Sequence, residues 1–162
     1  RDTLELLTPD MPVIVRMETL RRAALYATKD QRIAEQLLSR LMARASEAEA
    51  RGSSGAPAVF DVGYLVETYR QAAMVYKQPN LASGIDGYAW VTKAIRLRGE
   101  DPEMEFAAAL ITVAGPKVGH PEHLRKAVAG AKDDSLLARN LPLHFVHRGK
   151  TIAELRANLG RP

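Results

Sequence analysis

The sequence predicts an all-α protein, built of consecutive antiparallel helical hairpins in a single domain over residues 1–162. Three observations carry that expectation. No segment alternates apolar and polar residues well enough to read as a half-buried strand. Apolar residues recur instead at the three-to-four spacing of a helix face. Prolines stand at 12, 57 and 102, 45 residues apart each time. Each opens an apolar stretch in the same helical phase: Ile14, Met17 and Leu20; Val59, Val62 and Leu65; Met104, Ala107 and Leu110. Proline suits a first helical turn because its missing N–H would be unpaired there and its φ is already near helical. A fixed period of this size is what stacked helical hairpins write into a sequence. The units fall at 12–56, 57–101 and 102–146, with a C-terminal helix at 151–159. Either a right-handed superhelix of hairpins or a compact helical bundle satisfies the pattern.

The first helix is expected from Pro12 to Thr28, with Ile14, Met17, Leu20 and Ala24 inward. Arg16, Glu18, Arg21 and Arg22 face out, Glu18 and Arg22 as an i,i+4 pair. Asp30 caps a second helix reaching Arg51, with Ile33, Ala34, Leu37, Leu38, Leu41 and Ala45 inside. Gly52-Ser53-Ser54-Gly55 breaks it as a flexible connection. The third helix, Pro57 to Lys77, carries a stripe of Val62, Leu65, Val66, Tyr69, Ala73 and Tyr76 and ends at Gln78-Pro79-Asn80.

A fourth helix starts at Ser83 or Asp86, with Tyr88, Val91 and Ile95 on one side and Trp90, Ala94 and Leu97 on the other. The fifth, from Asp101-Pro102, is apolar on two sides as well, so these two helices are expected at the centre of the core. Gly115-Pro116 closes the fifth, and a sixth begins at His120-Pro121 with Leu124, Ala127 and Val128. A short turn follows around Leu136 and Leu137, and Leu141–Val146 is open between strand and irregular structure. Thr151-Ile152-Ala153-Glu154 is a capping-box pattern for the last short helix, with Ile152, Leu155 and Leu159.

Lys93-Ala94-Ile95-Arg96-Leu97, then Asp101-Pro102-Glu103 and an alanine-rich helix, resembles the junction between two tetratricopeptide repeats. The resemblance covers residues 57–131. It departs from the family in lacking the Trp-Leu-Gly-Tyr signature in order, and in a period of 45 rather than about 34. It implies helical hairpins with a concave groove for a protein or peptide, and no catalytic residues.

The chain carries +4 at neutral pH, unevenly spread. Residues 115–162 hold nine Lys/Arg against four Asp/Glu, but Phe145 is their only aromatic, so the basic third reads as solvation and nucleic acid is not the expected partner. Cysteine is absent, which removes disulfides and thiolate-bound zinc. The longest apolar run, Phe106–Ile111, is far below the about 18 residues a membrane span needs. A soluble protein is expected, with no membrane insertion. Arg1 in first place implies a segment upstream, so the cytoplasm and export after removal of that segment both stay open; the oligomeric state is open too.

Candidate chemistry is thin. All four histidines form His-x-x-His pairs, His120 with His123 and His144 with His147, a spacing that suits one metal ion per helix face. Gly149-Lys150-Thr151 echoes the end of a phosphate loop, but the glycine that loop needs at 144 is His144. No nucleophile elbow is present, and no cofactor is expected. Tyr64, Tyr69, Tyr76, Tyr88 and Trp90 concentrate five of the nine aromatics in one stretch. By phase Tyr69 and Tyr76 are core. Tyr64, Glu67 and Trp90 are the candidate lining of a protein-binding groove, because aromatic side chains with a polar tip anchor partners. The expected function is therefore a non-catalytic interaction module for a protein or peptide, with a metal-binding or basic nucleic-acid-binding helical protein as alternatives.

Overall fold

A computed structural model of the chain describes residues 3–114 and 121–159. Among them lie nine α-helices and no strand, so the fold is all-α. The helices are α1 (Thr3–Leu6), α2 (Val13–Ala27), α3 (Gln31–Glu49), α4 (Ala56–Tyr76), α5 (Gly87–Arg98), α6 (Pro102–Ala114), α7 (Pro121–Gly130), α8 (Leu136–His144) and α9 (Ile152–Asn158). The chain divides into two compact units, residues 1–99 and 100–162. The division falls at the border between the second and third units of the proline spacing.

In the first unit α4 is the central helix, packed against α2, α3 and α5. From Ala56 to Tyr69 it is buried on every side except at Tyr64, because Val59, Phe60, Val62, Leu65, Val66 and Tyr69 between them cover the whole helix circumference. The expected centre was the pair now labelled α5 and α6. Of these, α5 buries one face alone, through Gly87, Val91 and Ala94.

α2 and α4 meet through a charge pair. Arg16 was expected in solvent, yet it is 1% exposed. The inward stripe of α2 is Val13, Arg16, Met17, Leu20 and Ala24, and position 16 lies in phase with it, three residues after Val13 and four before Leu20. Its Nε donates to Asp61 Oδ1 at 2.7 Å and its Nη2 to Oδ2 at 3.1 Å. Burial pushes the Asp61 carboxyl up while Arg16 and then Arg44 pull it down. Arg16 and Asp61 stand 45 residues apart, each four places after its proline. The two paired residues thus hold the same place relative to Pro12 and Pro57.

The Arg16 guanidinium also holds the amino-terminal segment, donating to the carbonyls of Thr8 at 2.6 Å and of Leu7 and Met11, both at 3.4 Å. Arg44 of α3 adds bonds to the carbonyls of Leu7 at 3.1 Å and Leu4 at 2.9 Å. These bonds answer the orphan carbonyls of α1, a helix of four residues that buries no side chain of its own.

Asp30 caps α3 as expected, accepting from the amides of Arg32 and Ile33. Gly52–Gly55 is a 3-10 turn rather than a flexible connection, with Gly55 buried against the Ala48 carbonyl where a Cβ would not fit. α4 and α5 touch glycine to glycine. A Cβ on Gly63 would lie 2.6 Å from the Gly87 carbonyl oxygen, and one on Gly87 would lie 2.7 Å from that of Gly63. Ile33, expected inside, is exposed, and Tyr76, expected as core beside Tyr69, is 56% exposed. Tyr69 is buried and its hydroxyl donates to the Ala34 carbonyl at 3.0 Å.

In the second unit α6 packs against α7 and α8. α6 is buried from Met104 to Ala109 and again at Ile111. Where a short turn and an ambiguous segment were expected, one helix runs, α8, capped by Ser135 and closed soon after Pro142, whose ring cannot continue the ladder. Thr151 caps α9 by accepting from the Glu154 amide, while Glu154 Oε2 accepts from Lys150 N at 2.7 Å, which completes the capping box one residue early. Arg156 ties α9 to the Asp133 carboxylate and the Ala131 carbonyl.

Removing one partner of a buried ion pair strands the other. Asp61→Ala should therefore cost about 3–5 kcal/mol in urea unfolding, and the Arg16→Met, Asp61→Leu pair less than Asp61→Ala alone. Gly63→Ala should lower stability by about 1–3 kcal/mol through overpacking, whereas Ala72→Gly on the same helix should follow helix propensity and packing at ~1 kcal/mol.

Candidate functional site

The three groove candidates sit on α4 and α5 and face different neighbours. Tyr64 is half-buried, stacked on Phe60 with ring centroids 5.7 Å apart. Burial pushes its phenol up to about 12, with Arg21 of α2 acting to lower it and Glu18 to raise it. It therefore lies against the α2 flank. Glu67 is buried, with Oε2 accepting from Arg70 Nε at 2.7 Å and its methylenes over Gly87 of α5. Trp90 is half-buried on α5 with the Lys93 ammonium 5.1 Å from its ring centre. Lys93 in turn reaches Glu49 of α3 at 2.6 Å, so cation, ring and carboxylate form one chain across α3 and α5.

Of the histidines, His120 lies outside the described residues. His123 on α7 has its Nδ1 2.7 Å from Oε2 of Glu105 on α6, a carboxylate buried in the second unit. His144 and His147 are exposed. The first meets Phe106 edge-on at 5.5 Å, and the second lies 6.4 Å from Phe145 at a tilt of 55°. Among the described residues no three His, Asp or Glu side chains gather closely enough to hold a metal ion. Glu105 is the acidic partner that sequence reasoning did not find for His123; its place one turn inside α6, among Met104, Phe106 and Ala108, was the available signal.

Among the described residues of the first unit, two hollows bear on the candidate surface. One, of about 330 Å³, lies beneath the amino-terminal segment, bounded by Leu4, Thr8, Arg44, Arg51, Ser54 and Pro57. Its arginines are largely engaged: Arg16 with Asp61, and Arg44 with two carbonyls. The other, of about 510 Å³, opens where α2 and α4 end and is lined by Arg22, Leu25, Tyr26, Thr28, Lys29, Tyr76 and Gln78.

That second hollow was not anticipated. Tyr26 is 73% exposed, out of phase with the inward stripe of α2. On α4, Met74, Val75 and Tyr76 are three consecutive large apolar residues, 64%, 71% and 56% exposed. Three successive positions on a helix span most of its circumference, so they cannot all be inward, and this was the signal to read. Lys77 stops α4 in the left-handed region, at φ 53°, and sets Tyr76 at the rim. Lys29 lies 5.6 Å from the Tyr26 ring centre, and Arg22 Nε donates to Glu18 Oε1 at 2.8 Å, which fixes where that guanidinium stands.

Among the described residues, no helix is long and apolar enough to cross a membrane. Comparison with protein-family models, curated proteins and solved structures found no match for the chain.

The tyrosines give a pH-dependent test. Burial raises the phenols of Tyr64 and Tyr69 above their ordinary value, while in the unfolded chain both ionise near 10. The stability they contribute is present below pH 10 and is lost as pH rises from there through the folded values. Alkaline titration of tyrosinate absorbance should show two late phenols, one lost in Tyr64→Phe and one in Tyr69→Phe. A titration unchanged in either variant would contradict the assignment.

Proposed function

We propose that the chain is a non-catalytic helical interaction module that binds a protein or peptide. The observation that supports this most is the open end of the first unit, where Tyr26 and Tyr76, both largely in solvent, line one hollow together with Leu25. Exposed apolar groups of this size, gathered and rimmed by polar side chains, mark interaction sites more often than scattered single residues do. Tyrosine is among the residue types that carry most binding energy at interfaces.

The hairpins α2–α3 and α4–α5 support a repeat reading of the first unit, since Arg16 and Asp61 hold equivalent places and meet across neighbouring first helices. A helical-hairpin array resembling tetratricopeptide repeats would present its first helices side by side in this way. Tyr64, Glu67 and Trp90 remain part of the proposed surface. Tyr64 is packed against the α2 flank and Glu67 against α5, which favours Tyr26 and Tyr76 for first contact with a partner.

Selection of displayed random 12-residue peptides on the immobilised chain tests the reading. Enriched peptides should lose about tenfold or more in affinity on the Tyr26→Ala, Tyr76→Ala double change, with an unchanged thermal melt. Selection that enriches nothing, or only peptides indifferent to both tyrosines and to Tyr64→Ala, would overturn it.

A further inference from the structure

We propose that Met74 is a redox-modification site: a peroxide converts its thioether to the sulfoxide, and the Arg70 guanidinium holds the new oxygen.

Access comes first. The chain has no cysteine, so methionine is the sulfur chemistry it offers. Of its five methionines, Met17 and Met104 are buried and Met11 and Met42 are half-buried. Met74 stands in solvent on the last turn of α4. An oxidant must reach the sulfur itself, so exposure ranks Met74 ahead of the other four.

The receiving group comes second. Arg70 lies one turn before Met74 on α4. Its Nε donates to Glu67 Oε2 at 2.7 Å, and its Nη1 donates to Met74 Sδ at 3.4 Å. A thioether is a weak acceptor, so the second bond uses little of what Nη1 can give. Nη2 of the same guanidinium is buried and has no hydrogen-bond partner among the described residues. Buried donors left in this way are uncommon and costly. The guanidinium thus carries more donor capacity than its surroundings absorb, and it is already turned towards the sulfur. A sulfoxide oxygen, with its large partial negative charge, is a far stronger acceptor than the sulfur that bears it.

The chemistry balances with the peroxide as the one co-reactant. A lone pair of Sδ attacks one peroxide oxygen, the S–O bond forms as the O–O bond breaks, and the transferred oxygen gives its proton to the departing hydroxide. Sulfur is oxidised by two electrons, the peroxide is reduced, and for hydrogen peroxide the second product is water. Methionine sulfoxide reductases reverse the step.

Oxidation in a packed core disrupts it, but here the effect is the opposite. The sulfoxide ties the last turn of α4 to Arg70, and through Glu67 to the place where its methylenes lie over Gly87 of α5. It also turns polar the first of three successive exposed apolar residues, ahead of Val75 and Tyr76.

The test exposes the chain to dilute hydrogen peroxide and follows each methionine by peptide mapping and mass spectrometry. Met74 should react first, about tenfold faster than Met17 and Met104 and ahead of Met11 and Met42, and Met74→Leu should remove this first phase. When Met74 alone has reacted, the melting temperature should rise in the parent chain, and should not rise in Arg70→Gln measured against its own unoxidised form. That substitution also takes the partner from Glu67, so a second measurement is made on the parent. In ¹⁵N-labelled protein, the Nη protons of Arg70 should exchange more slowly with water after oxidation. Met11 or Met42 reacting first would overturn the site. Arg70 protons that exchange as fast as before would overturn the capture of the oxygen, whatever the melts show.

Discussion

The first unit depends on one buried charge pair. Arg16 and Asp61 lie where α2 crosses α4, both essentially out of water, and each is tolerable there because the other is present. Neither could be made apolar by itself without stranding its partner. The pair also reaches beyond the two helices. With two of its carboxylate bonds made, the Arg16 guanidinium still donates to carbonyls at positions 7, 8 and 11, so the amino-terminal segment is fastened to the same point. Core, helix crossing and chain start are thus coupled through one side chain.

Much of the architecture was legible because it is written in local chemistry. Asp30, Asp86, Ser135 and Thr151 each accept from an amide at the start of a helix. Of these, Asp30 and Thr151 were read as caps, and Asp86 as one of two starting points. The apolar stripe of α7 lies inward as its spacing implies, through Leu124, Ala127 and Val128. α5 ends at Gly99, whose φ is 87°, and the chain divides there.

What was not legible had tertiary causes. A charged residue in an apolar stripe reads as solvated unless its partner is known, and Asp61 is 45 positions from Arg16. α4 became the centre of its unit because glycines at 63 and 87 let α5 come close, and a glycine in a helical pattern does not announce what it will touch. The surface at Tyr26 and Tyr76 was missed because phase alone placed Tyr76 inward. The body of the unit ends before α4 does, so the last turn stands clear of it. Of the histidines, His123 found a carboxylate eighteen positions away, a distance no spacing rule links.

The glycine contact between α4 and α5 has a consequence for how the unit can move. Two backbones in van der Waals touch leave no side chain between them to flex, so the spacing of this helix pair is set by main chain rather than by rotamers. Any side chain added at either glycine has to push the helices apart, which makes the contact a fixed point about which the rest of the unit is packed.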